Sequence, residues 1–102
     1  MPLQSDAELL QAFQVPETRE SAYTQLIRKY QERLYWHIRR LVVGHDDAND
    51  VLQNVLIRVW KGLDGFRSDS QLFTWLYRIA INTARNWLAQ SKRRPSAPST
   101  YE

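Results

Sequence analysis

The chain has 102 residues, no cysteine, two histidines and three glycines, with 43% hydrophobic and 25% charged residues. This composition is typical of one globular domain and excludes a disulfide scaffold, a thiolate or structural zinc site, and the collagen-like and low-complexity classes. The net charge of +3 is divided unevenly, because residues 1–51 carry −2 and residues 52–102 carry +5. No apolar run approaches the roughly 20 residues that cross a bilayer, and Asp6 and Glu8 interrupt the N-terminal apolar cluster that a signal peptide needs. We therefore expect a cytoplasmic domain.

The first half of the chain predicts two helices. Ser5 and Glu8 have the spacing of a capping box, which starts a short helix from about Asp6 to Gln14. A second helix is predicted from about Thr18 to Val43, with Gly44 as its stop. The inward stripe of the second helix consists of Tyr23, Leu26, Ile27, Tyr30, Leu34, Ile38 and Leu41.

A third helix is predicted from Asp46 and Asp47, whose carboxylates suit the positive end of the helix dipole, to about Leu63. Its core stripe has a 3.6-residue period and consists of Ala48, Val51, Leu52, Val55, Leu56, Val59 and Leu63. The opposite face is polar except for Ile57, with Trp60 at its flank, and contains Asp50, Gln53, Asn54 and Lys61. An apolar side chain ringed by polar groups indicates a protein partner, unless the first helix or part of the second covers it.

A fourth helix is predicted from a cap within residues 68–70 to about Ser91. Its core arc consists of Phe73, Leu76, Tyr77, Ala80, Ala84, Trp87 and Leu88. The opposite arc has no carboxylate and contains Trp75, Arg78, Ile79, Asn82, Arg85, Asn86 and Arg93. Arginine suits phosphates, asparagine suits base edges and tryptophan suits an unpaired base, so this arc favours a nucleic acid. The alternative is that Trp75 and Ile79 pack on the first helix or on the loop before the fourth.

The remaining polar residues indicate ordinary surface and no catalytic site. The second helix carries Trp36 away from its stripe and a set of cations that we interpret as a solvated or helix-packing face, Arg28, Lys29, Arg33, Arg39 and Arg40. His37 lies on the core arc and is predicted to be buried and hydrogen-bonded, whereas His45 is predicted to be a cap or exposed. Because the chain lacks a glycine-rich phosphate loop, a cysteine nucleophile and a metal-ligand cluster, we predict a non-enzyme without metal or cofactor.

Two segments resemble a known family. Residues 47–54, Asp-Ala-Asn-Asp-Val-Leu-Gln-Asn, resemble the D-A-E-D-hydrophobic-hydrophobic-Q-E signature of bacterial RNA polymerase sigma factors. Phe66-Arg67, followed by Phe-Thr-Trp-Leu-Tyr-Arg-Ile-Ala-Ile-Asn at 73–82, is similar to the next segment in the extracytoplasmic-function (ECF) group. The resemblance covers about residues 5–94 and implies an all-α sigma domain two over 1–94. Residues 95–102 would be a Pro/Ser linker stub toward an absent C-terminal helix-turn-helix domain, so we expect one domain of a longer protein.

The resemblance also implies two partners. In the family, the helix with the D-x-x-Q motif docks on the β′ clamp helices of core RNA polymerase, and the matching residues are Asp50, Gln53, Asn54, Ile57 and Trp60. The family captures the non-template strand of the promoter minus-ten element, recognising and melting it, with residues that match Phe66, Arg67, Ser68, Asp69, Ser70, Gln71, Trp75, Arg78, Asn82 and Arg85. Phosphates just upstream would meet Lys92, Arg93 and Arg94. An anti-sigma factor is a further partner known in the family.

Two departures from the family pattern are visible. Asn49 and Asn54 replace acidic residues, and Leu56 stands where an aromatic is common, which predicts a weaker or retuned polymerase contact. Two other interpretations stay open at this point. One is a helical protein-interaction module, and the other is a helical domain that binds nucleic acid without sequence preference.

Overall fold

The computed structural model describes residues 4–66 and 71–93. They form four helices, α1 (Asp6–Phe13), α2 (Arg19–Arg39), α3 (His45–Gly62) and α4 (Leu72–Arg93), with a short 3-10 turn, Leu63–Gly65, after α3. α2 lies at the centre, because it packs against each of the other three helices, and α3 also packs against α4. The predicted all-α bundle is confirmed.

The start of α1 has the predicted capping box. The Glu8 backbone N–H donates to Ser5 Oγ at 3.2 Å, and the Ser5 backbone N–H donates to Glu8 Oε1 at 2.8 Å. Two otherwise unpaired N–H groups are thereby satisfied at the solvent-exposed helix end. The helix ends at Phe13, one residue before the predicted end.

α1 is held on α2 by apolar burial and by one polar cluster. Leu9 and Phe13 are buried, while Asp6 accepts hydrogen bonds from Lys29 Nζ at 2.6 Å and from the Tyr30 hydroxyl at 2.5 Å. Burial alone would raise the pKa of Asp6, but the hydrogen bonds from Lys29 and Tyr30 outweigh it and leave that pKa lowered. Burial, and then the bond to the carboxylate, raises the pKa of Tyr30 to about 12. The short first helix therefore docks through charge as well as through apolar contact.

The connection between α2 and α3 differs from the prediction. α2 ends at Arg39 rather than near Val43, and the chain turns there while the N–H of buried Val42 still bonds to the Ile38 carbonyl at 2.8 Å. Gly44 is the N-cap of α3, with φ of −78°, and its carbonyl accepts from the Ala48 N–H at 2.9 Å. Its prediction as the stop of α2 is wrong, because the turn after Arg39 needs no left-handed residue.

The core is one cluster of buried side chains from all four helices and their connections. Its members are Leu9, Phe13, Ala22, Leu26, Ile27, Tyr30, Leu34, Ile38, Val42, Ala48, Val51, Leu52, Val55, Val59, Leu63, Leu72, Leu76, Ala80 and Ala84. The α4 arc is rotated from the prediction: Tyr77 is exposed, while Leu72 and Thr83 are buried. The rotation follows from packing, since α4 lies against both α2 and α3 and must bury the arc between them. Thr83 remains satisfied, because its Oγ1 donates to the Ile79 carbonyl at 2.7 Å.

Candidate protein-binding and nucleic-acid-binding faces

The outer face of α3 presents an apolar side chain in a polar ring. Ile57 is 53% exposed, and Asp50, Gln53 and Asn54 around it are exposed as well. The expected alternative, that α1 or part of α2 covers this face, is wrong. We refer to these four residues as the α3 face. In the described part of the chain Asp50 makes no salt bridge, so its carboxylate is available to a partner.

Trp60 lies at the flank of the α3 face, as predicted, but its ring is used in packing. The indole is half-buried and meets Phe13 edge-on at 5.4 Å and Tyr23 edge-on at 5.0 Å between ring centroids. The guanidinium of Arg19 lies over Phe13 at 3.9 Å and over Trp60 at 5.2 Å. Trp60 therefore joins α1 and α2 to α3 and leaves only its rim near the α3 face.

A chain of polar contacts that the sequence did not indicate fixes the start of α3. Arg39 Nη1 donates to the Tyr35 hydroxyl at 3.1 Å, and that hydroxyl lies 2.5 Å from His45 Nδ1. The amide nitrogen of Asn49, Nδ2, lies 3.2 Å from His45 Nε2 and can only donate, so Nε2 accepts and Nδ1 carries the ring proton. The Tyr35 hydroxyl oxygen then accepts from both Nδ1–H and Arg39. His45 is exposed, as predicted, but it is the first residue of α3.

Beside this chain lies a shallow cavity of about 370 Å³. It extends the α3 face onto α2 and is lined by Gln31, Tyr35, His45, Asn49, Leu52 and Gln53. Gln31 and Tyr35 were not predicted as site residues, because they come close to Gln53 only through the packing of α2 on α3. Asn49, which replaces an acid of the family signature, serves here as a partner of His45.

The outer face of α4 is a strip of cations and carboxamides. Arg78, Asn82 and Arg85 are exposed along the helix, and the seven steps of about 1.5 Å from the first to the last span about 10 Å. Residues 71–93 contain no carboxylate. The predicted common face of these residues is confirmed. Ile79 is half-buried and packs against the core cluster.

Trp75 links the outer face of α4 to the end of α3. Its ring centroid lies 5.3 Å from that of Phe66, and both side chains are half-buried. A Cβ added to Gly62 would lie 3.3 Å from Trp75 Cζ2, so glycine lets the indole rest on the last turn of α3. Trp75 therefore packs on the last turn of α3 and on Phe66, which lies in the loop that the packing alternative named. Its half-exposed ring remains beside Arg78.

Several predicted site residues lie at the ends of the described ranges or outside them. Gln71 is exposed just before α4, and Lys92 and Arg93 belong to the last turn of that helix. The loop residues 67–70, with their predicted helix cap, lie outside the described residues, as do Arg94 and the predicted linker 95–102.

His37 occupies the seam between α2 and α4. The imidazole is half-buried and lies edge-on to Tyr77 at 4.7 Å between ring centroids. The predicted hydrogen bond is wrong for the described part of the chain, where the ring has aromatic neighbours instead. Burial, and then the nearby charges of Arg40 and Arg33, lower the pKa of His37.

The described residues hold no cluster of three or more histidine, cysteine, aspartate or glutamate side chains arranged to bind a metal ion. None of the four helices is long and apolar enough to cross a bilayer.

Comparison with known proteins places the bundle in a family. The sequence profile described as Sigma-70 region 2 matches residues 26–94, two thirds of the chain, which span most of α2 and all of α3 and α4. The chain therefore belongs to the Sigma-70 region 2 family, and the resemblance inferred from the D-x-x-Q and W-L-Y-R-I-A segments is confirmed.

Similar proteins carry the names of sigma factors. The chain is 41% identical over 92 residues to the RNA polymerase sigma-H factor of Pseudomonas aeruginosa, covering 90% of this chain and 47% of that protein. It is 42% identical over 76 residues to the ECF RNA polymerase sigma-E factor of Escherichia coli K12, covering 74% of this chain and 39% of that protein. The chain thus spans less than half the length of these two relatives.

A solved structure shares the fold. It is an NMR structure of an engineered region 2 of sigmaE in complex with GTAAAA. The TM-score is 0.83 at 32% identity, over 95% of this chain and 99% of that one.

Proposed function

We propose that this chain is the part of a transcription initiation factor that binds core RNA polymerase and recognises and opens the promoter minus-ten element. Family membership supports the proposal, and so does the DNA named with the engineered sigmaE relative. The observation that carries it is the acid-free outer face of α4, where Arg78, Asn82 and Arg85 lie in line beside a half-exposed Trp75.

The α3 face is the proposed polymerase-docking surface. Its side chains suit the β′ clamp helices: Ile57 would lose its remaining exposure on docking, Asp50 would pair with a cation, and Gln53 and Asn54 would hydrogen-bond. The rim of Trp60 completes the edge of this surface. Docking on the α3 face would not use Arg78, Asn82 or Arg85, which belong to α4.

The α4 face is the proposed DNA-binding surface. Arg78 and Arg85 would hold phosphates, and Asn82 would hydrogen-bond a base edge. Trp75 would stack on an unpaired base, and the loop from Phe66 to Gln71 would receive the extruded base. Upstream phosphates would meet three proposed cations, Lys92, Arg93 and Arg94.

The energetics require both stacking and phosphate contacts. Extruding a base costs a few kcal/mol, and stacking on an aromatic side chain returns about 1–3 kcal/mol per base. Stacking alone therefore roughly breaks even, and the arginines must supply the surplus. Since the domain would bind only the open strand, it would shift the duplex equilibrium by mass action, without hydrolysing anything.

The DNA half of the proposal is tested with matched asparagine variants. Fluorescence anisotropy compares a single-stranded oligonucleotide that contains GTAAAA with a scrambled one. We expect a preference for one sequence that Asn82→Ala weakens and that Asn54→Ala, the same substitution on the α3 face, leaves intact. Equal affinity of the wild type for both oligonucleotides, with a steep salt dependence, would instead support a domain without sequence preference.

The polymerase half is tested by co-elution with core RNA polymerase. We expect the wild type and Asn82→Ala to co-elute, and the double variant Asp50→Ala/Gln53→Ala to lose the interaction while circular dichroism shows that it is folded. Binding by the double variant at wild-type strength would rule out the α3 face. A soluble protein captured through Ile57, without any DNA binding at low salt, would favour the interaction-module alternative. An anti-sigma factor that covers either face is a further proposed partner.

A further inference from the structure

A second cationic surface lies on α2, where that helix meets α4. Arg33, Trp36, His37 and Arg40 have the spacing i, i+3, i+4 and i+7, so they share one face of the helix. His37 is half-buried, and the other three are exposed. The edge-on contact of His37 with Tyr77, 4.7 Å between ring centroids, continues this face onto α4. We refer to these five residues as the α2 strip.

Aromatic packing holds one cation of the strip in place. The Arg33 guanidinium lies over the Phe73 ring at 3.9 Å. The Phe73 ring in turn packs with Tyr30 and with Tyr77, at 5.6 Å and 6.2 Å between ring centroids. A stacked guanidinium keeps its in-plane N–H donors available, and it loses less side-chain freedom when a phosphate binds.

The charge of the strip is not balanced within the part of the chain that the structure describes. The salt bridges there join Arg19 to Asp64 and Lys29 to Asp6, so neither cation of the strip is paired. Arg33 and Arg40 lie four residues before and three residues after His37, so both cations are close to the imidazole on the helix face. After burial, their charges further lower the pKa of His37. Such a surface attracts an anion.

The strip also offers exposed aromatic surface. Trp36 is 54% exposed and lies beside a shallow cavity of about 410 Å³ that Arg39 and Arg40 also line. Tyr77 is 38% exposed. Exposed aromatic rings among arginines are the combination with which proteins bind single-stranded nucleic acid, since rings stack on bases and cations follow the phosphates.

We infer that the α2 strip is a second contact site for single-stranded DNA. The inference rests on the proposed function and extends it, because the same strand would continue from the outer face of α4 onto α2. Tyr77 and Arg78 are adjacent in sequence, and exposed Thr74 lies beside both on α4, so the two surfaces are continuous. Arg33 and Arg40 would bind phosphates, and Trp36 would stack on a base.

The test uses the whole chain and two single-stranded probes, the hexamer GTAAAA and the same hexamer flanked by four thymidines on each side. Binding is followed by fluorescence anisotropy over a range of salt concentrations. For the wild type we expect the longer probe to bind more tightly than the hexamer. The double variant Arg33→Ala/Arg40→Ala should lose most of that gain, and its slope of log affinity against log salt should fall by about 1.4, or ~0.7 for each lost phosphate contact.

Matched variants separate charge from folding. Arg28→Ala/Arg58→Ala removes the same charge from exposed positions outside the strip, and it should keep the gain from the longer probe. Arg33→Lys/Arg40→Lys keeps the charge but changes the stacking on Phe73, and it should retain most of the salt slope. Trp36→Ala should weaken binding of the longer probe by about fivefold or more and leave the slope unchanged.

The contrary outcomes distinguish failure of the proposed function from failure of the α2 strip alone. If the wild type binds neither probe, the DNA half of the proposed function fails and the inference fails with it. If the wild type binds the hexamer but gains nothing from the flanks, or if Arg33→Ala/Arg40→Ala keeps the gain, the inference alone is wrong. If the double variant binds DNA normally but no longer co-elutes with polymerase, the strip is a protein contact and the inference is again wrong.

Discussion

Because Ile57 is exposed, one type of substitution can distinguish a loss of polymerase binding from a loss of folding stability. Ile57 is 53% exposed on α3, whereas Ile38 on α2 is fully buried. Replacing each by alanine removes the same atoms from two environments. If Ile57 is a contact residue and Ile38 a core residue, Ile57→Ala must lose mainly polymerase affinity and Ile38→Ala must lose mainly folding stability.

The magnitudes follow from burial. Covering a whole isoleucine side chain is worth about 1.5–3 kcal/mol, so covering the exposed half of Ile57 on docking is worth about 0.8–1.5 kcal/mol. We therefore expect Ile57→Ala to weaken binding to core RNA polymerase about four- to twelvefold. Its stability should fall by about 1 kcal/mol or less, because the lost contacts are partly offset by the better helix propensity of alanine. Ile38→Ala should cost about 2–5 kcal/mol, and each kcal/mol lowers the melting temperature by about 4–8 °C.

The assay is titration of labelled chain with core polymerase, at a temperature where circular dichroism shows that all variants are folded. Ile38→Ala should bind like the wild type there, while its melting temperature is much lower. Wild-type affinity of Ile57→Ala, beside clear loss in Asp50→Ala/Gln53→Ala, would refute the burial of Ile57 on docking. An equal loss in Ile57→Ala and Ile38→Ala would show that the assay reports folding rather than contact.

Three further predictions concern stability. Ser5→Ala should lower stability by about 1 kcal/mol through loss of the capping box, seen in denaturant unfolding, and an unchanged midpoint would contradict that role. Because the folded-state pKa of Asp6 is lowered from 3.8, its hydrogen bonds to Lys29 and Tyr30 stabilise the folded state above pH 3.8, and this contribution is lost as pH falls through the folded-state pKa. In thermal melts, the melting temperature of Asp6→Asn should therefore fall less steeply at acidic pH than that of the wild type. The pKa of His37 is lowered from 6.5, so neutral His37 contributes fully to folding stability above pH 6.5, and this contribution is lost as pH falls through the folded-state pKa. His37→Gln should therefore reduce the pH dependence of the melting temperature in this range. An unaltered pH profile would contradict the burial of neutral His37.

The helices and most of the core could be predicted because periodicity reports one-sided burial directly. The valine and leucine stripe of α3 is buried as predicted, apart from half-buried Leu56, whose carbonyl accepts from the Tyr23 hydroxyl. The buried arc of α4 was harder to predict, since that helix packs on two neighbouring helices and the centre of the arc depends on the position of both. Tyr77 therefore lies at the rim and Thr83 inside, although the tyrosine ring has more apolar surface to bury.

The candidate faces were predictable to different degrees for the same reason. Ile57 stood out because it breaks the polarity of a face that one helix defines alone. The contacts of Trp60, Trp75 and His37 each depend on the placement of another helix or segment, so one helical wheel could not decide between packing and binding. The Arg39–Tyr35–His45–Asn49 chain was invisible because it forms only across the corner between α2 and α3.

The packing of Trp75 has a consequence for how the two proposed activities combine. α3 carries the proposed docking face on one side, and its last turn supports Trp75 on the other, because Gly62 leaves room for the indole. Phe66 closes the same contact from the 3-10 turn, so the end of α3, the start of the loop and the first turns of α4 share one aromatic cluster. A rigid connection of this kind sets where the α4 arginines lie once α3 is docked. The orientation of the captured strand on the polymerase would then be set by packing within the domain, rather than by a flexible hinge between two binding surfaces.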